Sequence, residues 1–101
     1  MNFNEYQELA KETDLDNPLN YYYLGLCEEA GEVAGKRKRF LRNEGNTDTD
    51  DLTKELGDVL WYVTMIAHRY NITLEDIAAT NISKLKDRFK RGVIQGKGDK
   101  R

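Results

Sequence analysis

The segment VLWYVTMIA at residues 59–67 decides the fold, because its side chains are apolar almost all the way round a helix and only Thr64 interrupts the run. A helix of this kind is buried on several sides. It is too short to cross a membrane, which takes roughly 20 apolar residues. A chain of 101 residues has few layers with which to cover such a helix. We therefore predict an all-α bundle that is completed by oligomerisation, as a dimer or as a tetramer.

Outward from this segment, the 3.6-residue spacing of apolar side chains predicts four helices, and no stretch alternates long enough to be a strand. The predicted helices cover about residues 4–13, 19–41, 49–70 and 73–91. We predict one helical domain at residues 1–91 and a basic, Gly/Lys-rich tail at residues 92–101.

Turn and capping residues define the boundaries of these helices. Pro18 separates the first two helices, and Asn43, Gly45 and Asn46 end the second. Thr49 is expected to cap the start of the third helix. Thr73 begins the fourth, with an aspartate three residues later as a capping partner.

The composition indicates a soluble, cytoplasmic protein, since 34% of the residues are charged and the mean hydropathy is -0.80. The N-terminal residues lack the basic start and apolar stretch of a signal peptide. A single cysteine and a single histidine exclude an internal disulfide and the usual zinc site of nitrogen and sulfur ligands. We expect Cys27 to pack as a small core residue.

Charge is distributed unevenly along the chain. Residues 84–101 contain eight Lys/Arg and two Asp, whereas the rest of the chain holds eight Lys/Arg and sixteen Asp/Glu. The acidic part could bind a cation and the basic end a phosphate, or the basic end could be a solvated tail. A nucleic-acid binder is a rival interpretation, but such domains are usually basic overall and the pI here is about 5.4.

Acidic side chains form two pairs on the second and third predicted helices. Glu29 and Glu32 are three residues apart, as are Glu55 and Asp58, so each pair shares one face of its helix. The second helix is slim because it is rich in glycine and alanine, and the connection to the third is short. Antiparallel pairing of the two helices would therefore bring the carboxylates face to face.

Four carboxylates that meet near a core repel one another and are costly to remove from water. A hard divalent cation resolves this, and oxygen ligands suit Mg²⁺ or Mn²⁺. Because Mg²⁺ usually shares its ligand shell with water and substrate phosphates, phosphate-ester or phosphoanhydride chemistry is the leading reaction class. Lys36 follows Glu32 on the same face and could contact a phosphate. The competing interpretation is a solvated acidic face.

Aromatic side chains are frequent in the second and third helices. At helical spacing they belong to a core more often than to a base-stacking site, and we predict core packing for the following residues: Tyr21, Tyr22, Tyr23, Trp61 and Tyr62.

Four segments carry a resemblance to a known family. EEAGEV at residues 28–33 and ELGDVLWYV at residues 55–63 resemble the paired acidic signature of MazG-like nucleoside triphosphate pyrophosphohydrolases, in the all-α NTP pyrophosphatase superfamily. NEYQELAKET at residues 4–13 is similar to the family's first helix, and NISKLKDRF at residues 81–89 to its fourth. The resemblance covers nearly the whole chain.

This resemblance implies Mg²⁺-dependent cleavage of a nucleoside triphosphate between its α and β phosphates, in a homodimer or a dimer of dimers. It implies four metal ligands, which are Glu29, Glu32, Glu55 and Asp58. It implies nucleotide contacts from three residues of the fourth helix, which are Asn81, Lys84 and Arg88. Glu28 would lie beside the metal ligands or near the attacking water.

A rival within the same fold is a helical interaction or regulatory module that has lost catalysis. The presence of all four carboxylates argues against it. House-cleaning of damaged nucleotides, removal of dUTP or dCTP, and alarmone control are all compatible with the predicted activity.

Overall fold

The computed structural model describes residues 1–43 and 48–101. These residues form four helices in chain order: α1 (Phe3–Lys11), α2 (Leu19–Asn43), α3 (Thr49–Arg69) and α4 (Leu74–Arg91). Within the described ranges there is no strand, so the all-α prediction is confirmed. Of the residues predicted to end the second helix, Asn43 is the last residue of α2, whereas Gly45 and Asn46 lie outside the described residues.

Short polar side chains cap the starts of α3 and α4. Asp48, rather than Thr49, caps α3, because its carboxylate accepts hydrogen bonds from the backbone N–H groups of Asp50 and Asp51. The prediction for α3 was therefore one residue late. Thr73 caps α4 as predicted, and its hydroxyl accepts from the backbone N–H of Asp76. Caps of this kind satisfy backbone donors that the first helical turn leaves free.

Helices α2 and α3 form the central pair, and their contacts run in opposite directions along the two chains. Near the start of α2, Tyr22 meets Arg69 at the end of α3, whereas Lys36 meets Asp51 in the first turn of α3. The pair is therefore an antiparallel hairpin. Its register places the middle of α2 opposite the first half of α3, where the predicted carboxylates lie.

A network of polar groups around Tyr22 fixes the α1–α2 connection against α3. Tyr22 is fully buried, its hydroxyl donates to Asp14, and it accepts from Arg69 Nη2 at 2.7 Å. Arg69 also reaches Asp14 Oδ2 at 3.1 Å and Asp16 Oδ1 at 2.9 Å. Buried polar groups are costly unless they are hydrogen-bonded, and here each satisfies another.

The small helix α1 is held by Gln7, whose side chain is buried. Its amide nitrogen donates to the carbonyl of Ile72 at 3.0 Å, and its oxygen accepts from the backbone N–H of Leu74 at 2.9 Å. Helix α4 packs against α1. The connection between α3 and α4 is thus fastened to α1, which sets the direction in which α4 leaves the hairpin.

The single chain is more open than a compact domain of its length. Its radius of gyration is 16.2 Å, whereas about 13 Å is usual for 100 residues. Large apolar side chains remain exposed, among them Leu24 at 71% and Phe89 at 76%. Cys27 is exposed as well, so its predicted burial is wrong for the single chain. Leu24 and Cys27 of α2 face outward, because none of the described helices covers them.

Candidate metal centre

Three of the four predicted carboxylates converge between α2 and α3. Glu29 from α2 and Glu55 and Asp58 from α3 each offer one oxygen, and these oxygens all lie within 4.8 Å of one another. The three-residue spacing in α3 places Glu55 and Asp58 on one face. The antiparallel pairing of the hairpin brings Glu29 across to them.

Close approach of the two helices depends on Gly25. A Cβ atom at this position would lie 2.1 Å from Cε1 of the Tyr62 ring, which is far inside van der Waals contact. Glycine therefore allows α3 to approach α2 one turn before Glu29. Burial raises the pKa of Tyr62 to about 12, so its phenol stays neutral beside the carboxylates.

The electrostatics of the three carboxylates are unfavourable without a counter-charge. Glu55 is 18% exposed, and its Oε2 atom is buried with no hydrogen-bond partner among the described residues. Burial raises the pKa of Glu29, and the negative charges of Asp58 and Glu55 raise it further. An unpaired buried carboxylate oxygen is rare in folded proteins, because its loss of hydration is not compensated.

A hard divalent cation fits this arrangement. The donor set consists of carboxylate oxygens, which are the ligands that Mg²⁺ and Mn²⁺ prefer. The Oε2 atom of Glu55 is buried and has no hydrogen-bond partner among the described residues, so its lone pairs are available to an ion. Glu29, Glu55 and Asp58 are accordingly the residues that would hold such an ion.

Lys36 is the cation nearest to this group in the part of the chain that the structure describes. Its Nζ lies 2.5 Å from Asp51 Oδ2 and 3.7 Å from Glu55 Oε1. Lys36 therefore partly offsets the charge of Glu55 on the side away from the unpartnered oxygen. Asp51 lies in the first turn of α3. Its pairing with Lys36 depends on the hairpin register.

The predicted nucleotide-contacting residues share one face of α4. Lys84 and Arg88 are one helical turn apart and both bind Asp99 of the C-terminal tail, at 2.9 Å and 3.0 Å. Asn81, one turn earlier, is exposed. Lys84 and Arg88 give this face of α4 its positive charge.

Comparison with known families identifies the chain. The model of the MazG nucleotide pyrophosphohydrolase domain matches residues 18–93, which include the whole hairpin and α4. The chain belongs to the MazG family. This confirms the resemblance drawn from the acidic motifs.

A curated relative of this MazG-family chain is the Gene 37 protein of Mycobacterium phage L5. The two are 44% identical over 96 residues, which cover 91% of this chain and 84% of the relative. No solved structure matches the chain. None of the described helices is both long enough and apolar enough to pass through a membrane.

Two glutamates of the family motif lie outside the converging group. Glu32 is exposed on α2, one turn beyond Glu29, and Glu28 is exposed beside Glu29. Neither belongs to the set whose oxygens approach within 4.8 Å. Their predicted roles, as the fourth metal ligand and as a residue near the attacking water, stay predictions.

The aromatic residues divide between core and surface. Tyr22 is fully buried, and Trp61 and Tyr62 pack around it with ring centroids 6.0 Å and 6.5 Å away. Tyr21 and Tyr23 are about half exposed, so the core prediction is wrong for these two in the single chain. The hydroxyl of Tyr23 instead meets that of Tyr70 at 3.0 Å.

Proposed function

We propose that this MazG-family protein hydrolyses nucleoside or deoxynucleoside triphosphates between the α and β phosphates, releasing the monophosphate and pyrophosphate with Mg²⁺ as cofactor. The observation that carries the proposal is the convergence of Glu29, Glu55 and Asp58, where the Oε2 atom of Glu55 is buried and has no hydrogen-bond partner within residues 1–43 and 48–101. Such a group suits a cation, and a Mg²⁺ ion that keeps open positions suits a triphosphate.

The carboxylates have distinct tasks in this proposal. Glu29, Glu55 and Asp58 hold the ion, and Glu32 completes the ligand set as a fourth carboxylate or through water. When bound, Mg²⁺ lowers the pKa of a coordinated water and neutralises charge that develops on the phosphate; Mn²⁺ would serve in the same way. Glu28, exposed beside this group, orients the attacking water and accepts its proton.

The cationic residues bind and orient the substrate. Lys36 lies next to Glu55 and contacts a phosphate oxygen at the edge of the carboxylate group. Lys84 and Arg88 bind the remaining phosphates, since a guanidinium group and an ammonium group both recognise phosphate oxygens. Asn81 contacts the base or the sugar. These groups hold the triphosphate in line for attack, and that positioning is the main contribution of a protein to phosphoryl transfer.

The proposal includes a homodimer, with a dimer of dimers as the larger alternative. The outward stripe of α2, which we define as Leu24, Cys27, Gly31 and Ala34, is exposed and mostly apolar. Its small residues let a second helix approach closely. A second copy of the chain would cover this stripe and close the open shape of the monomer. Nucleoside triphosphates are abundant in the cytoplasm, and this agrees with the cytoplasmic location that we propose.

The test is a panel of nucleoside and deoxynucleoside triphosphates, including dUTP and oxidised bases, scored for pyrophosphate with Mg²⁺. Glu55→Gln and Asp58→Asn should each lower kcat by at least roughly 100-fold, because even residues that only support metal ligands often cost 10–100-fold. Glu8→Gln, in an exposed pair with Lys11, is the matched control and should keep full activity.

Full activity in Glu55→Gln or Asp58→Asn would refute the metal-ligand assignment. The absence of pyrophosphate with every substrate, from a folded wild-type protein, would instead favour the catalytically inactive helical module.

A further inference from the structure

The C-terminal tail places a carboxylate on the two cations of α4. Asp99 Oδ1 lies 2.9 Å from Lys84 Nζ and 3.0 Å from Arg88 Nη2, and the backbone carbonyl of Asp99 accepts a second bond from Arg88 at 2.9 Å. Within the described part of the chain, Asp99 supplies every hydrogen bond of the Arg88 guanidinium. A carboxylate that bridges an arginine and a lysine takes the position that a phosphate would take.

The tail reaches this position because it folds back on itself after α4. Gly92 ends the helix in the left-handed conformation at φ 73°, and Gly98 adopts a second positive φ of 77° just before Asp99. The Arg101 side chain closes the turn by donating to the carbonyls of Val93 at 3.0 Å and Ile94 at 3.1 Å. The tail is thus a shaped loop that presents Asp99 to α4.

Arg88 and Asp99 differ sharply in their exposure to solvent. Arg88 is only 4% exposed, whereas the Asp99 side chain is 80% exposed. Because the carboxylate stands in solvent, an incoming anion can reach and replace it without opening the helical core. Hydrogen bonds from Lys84 and Arg88 lower the pKa of Asp99 to about 2, so Asp99 is ionised wherever a triphosphate is.

We propose that Asp99 is an internal competitor of the substrate, which occupies the cations Lys84 and Arg88 in the free protein and leaves when phosphate groups bind them. This inference rests on the proposed function, which assigns Lys84 and Arg88 to the triphosphate. Because the substrate must displace the tail before it contacts both cations, the competition weakens the apparent affinity of the protein for its substrate.

Exposed ion pairs are weak, so the competition is mild and reversible. Removing the charge of Asp99 should tighten the binding of a phosphate-bearing ligand about two- to fivefold, which is the range that one or two exposed pairs produce. Larger gains would require a buried pair, and the Asp99 carboxylate is not buried.

The experiment measures binding of inorganic pyrophosphate with Mg²⁺ to the full chain by calorimetry. Asp99→Asn keeps the shape of the side chain and should lower the pyrophosphate Kd about two- to fivefold. Asp87→Asn is the matched control, because it removes one negative charge from the same helix end but pairs with Arg91 instead. Its Kd should equal that of the wild type. Lys84→Ala should bind more weakly.

A second readout separates competition from a merely structural tail. Pyrophosphate should shift the backbone amide resonances of Gly98 and Lys100 in the wild-type protein toward their positions in Asp99→Asn. An unchanged Kd in Asp99→Asn, alongside weaker binding in Lys84→Ala, would overturn the competition and leave the proposed function standing. Equal pyrophosphate binding by the wild type and Lys84→Ala would overturn the competition and the assignment of Lys84 to the triphosphate, since Lys84 would then not contact phosphate.

Discussion

At the scale of single residues, the two carboxylate oxygens of Glu55 have very different surroundings. One of its oxygens lies 3.7 Å from the Lys36 ammonium, and the other is buried with no hydrogen-bond partner in the part of the chain that the structure describes. Glu55 therefore costs stability in the metal-free protein, since its desolvation is only partly compensated. A bound cation would remove that cost.

We expect Mg²⁺ to raise the melting temperature of the wild-type protein and to have little effect on Glu55→Gln. A ligand that binds only the folded state stabilises by about 2.7 kcal/mol at 100 times its Kd. Thermal scans with and without saturating Mg²⁺ measure the shift, with Glu8→Gln as the control that should respond like the wild type. An equal Mg²⁺ shift in Glu55→Gln would show that the ion binds elsewhere.

Asp14 contributes to the response of the fold to acid. Although burial alone would raise its pKa, the hydrogen bonds from Tyr22 and from the Asp16 N–H, together with the charge of Arg69, lower it. A carboxyl group whose pKa is lower in the folded state stabilises the protein above its unfolded pKa of 3.8. That contribution is lost as the pH falls through the lower, folded value.

Asp14→Asn should therefore lower the free energy of unfolding by about 1–2 kcal/mol at neutral pH, as expected when a charge-assisted hydrogen bond is lost. Below pH 4 the difference from the wild type should shrink. Urea unfolding between pH 2 and pH 7 measures both effects. Asp16→Asn removes the exposed partner of the same arginine and should lower the free energy of unfolding by less. A difference in unfolding free energy between Asp14→Asn and the wild type that is the same at every pH would contradict the linkage.

At the scale of the elements, the α2–α3 hairpin depends on one point of close approach. Gly25→Ala inserts a methyl group against the Tyr62 ring, so it should destabilise the protein by about 1–3 kcal/mol despite alanine's better helix propensity. Gly57→Ala, in α3, has open space around its Cβ and should stabilise by up to about 1 kcal/mol. Chemical denaturation distinguishes the two. Equal effects would mean that the hairpin is not tight at Gly25.

The sequence predicted the four helices and the acidic pairs because both depend on local spacing. Glu29, Glu55 and Asp58 could be placed on facing helices by periodicity alone, and they do converge. Contacts between residues distant in sequence were not predictable in this way. The Lys36–Asp51 pair requires the hairpin register, and Asp99 reaches α4 only because two tail glycines adopt positive φ.

At the scale of the whole molecule, the open shape and the exposed α2 stripe lead to a prediction about assembly. Leu24→Glu places a charge in the centre of an apolar contact and should convert a dimer into a monomer. Sedimentation should give at least twice 11.7 kDa for the wild type and 11.7 kDa for the variant. Leu15→Glu is the control, because Leu15 is 86% exposed in the α1–α2 connection, away from the stripe. A monomeric wild type would overturn the dimer.

The three converging carboxylates come from both helices of the α2–α3 hairpin. This restricts the insertions and deletions that the chain can tolerate. Inserting or deleting a single residue in α2 between Tyr22 and Glu29 would turn Glu29 by about 100° around the helix axis. The aromatic core and the carboxylate group could not then both face α3. Insertions and deletions in this part of α2 are therefore excluded for as long as the protein must keep both its aromatic core and its carboxylate group.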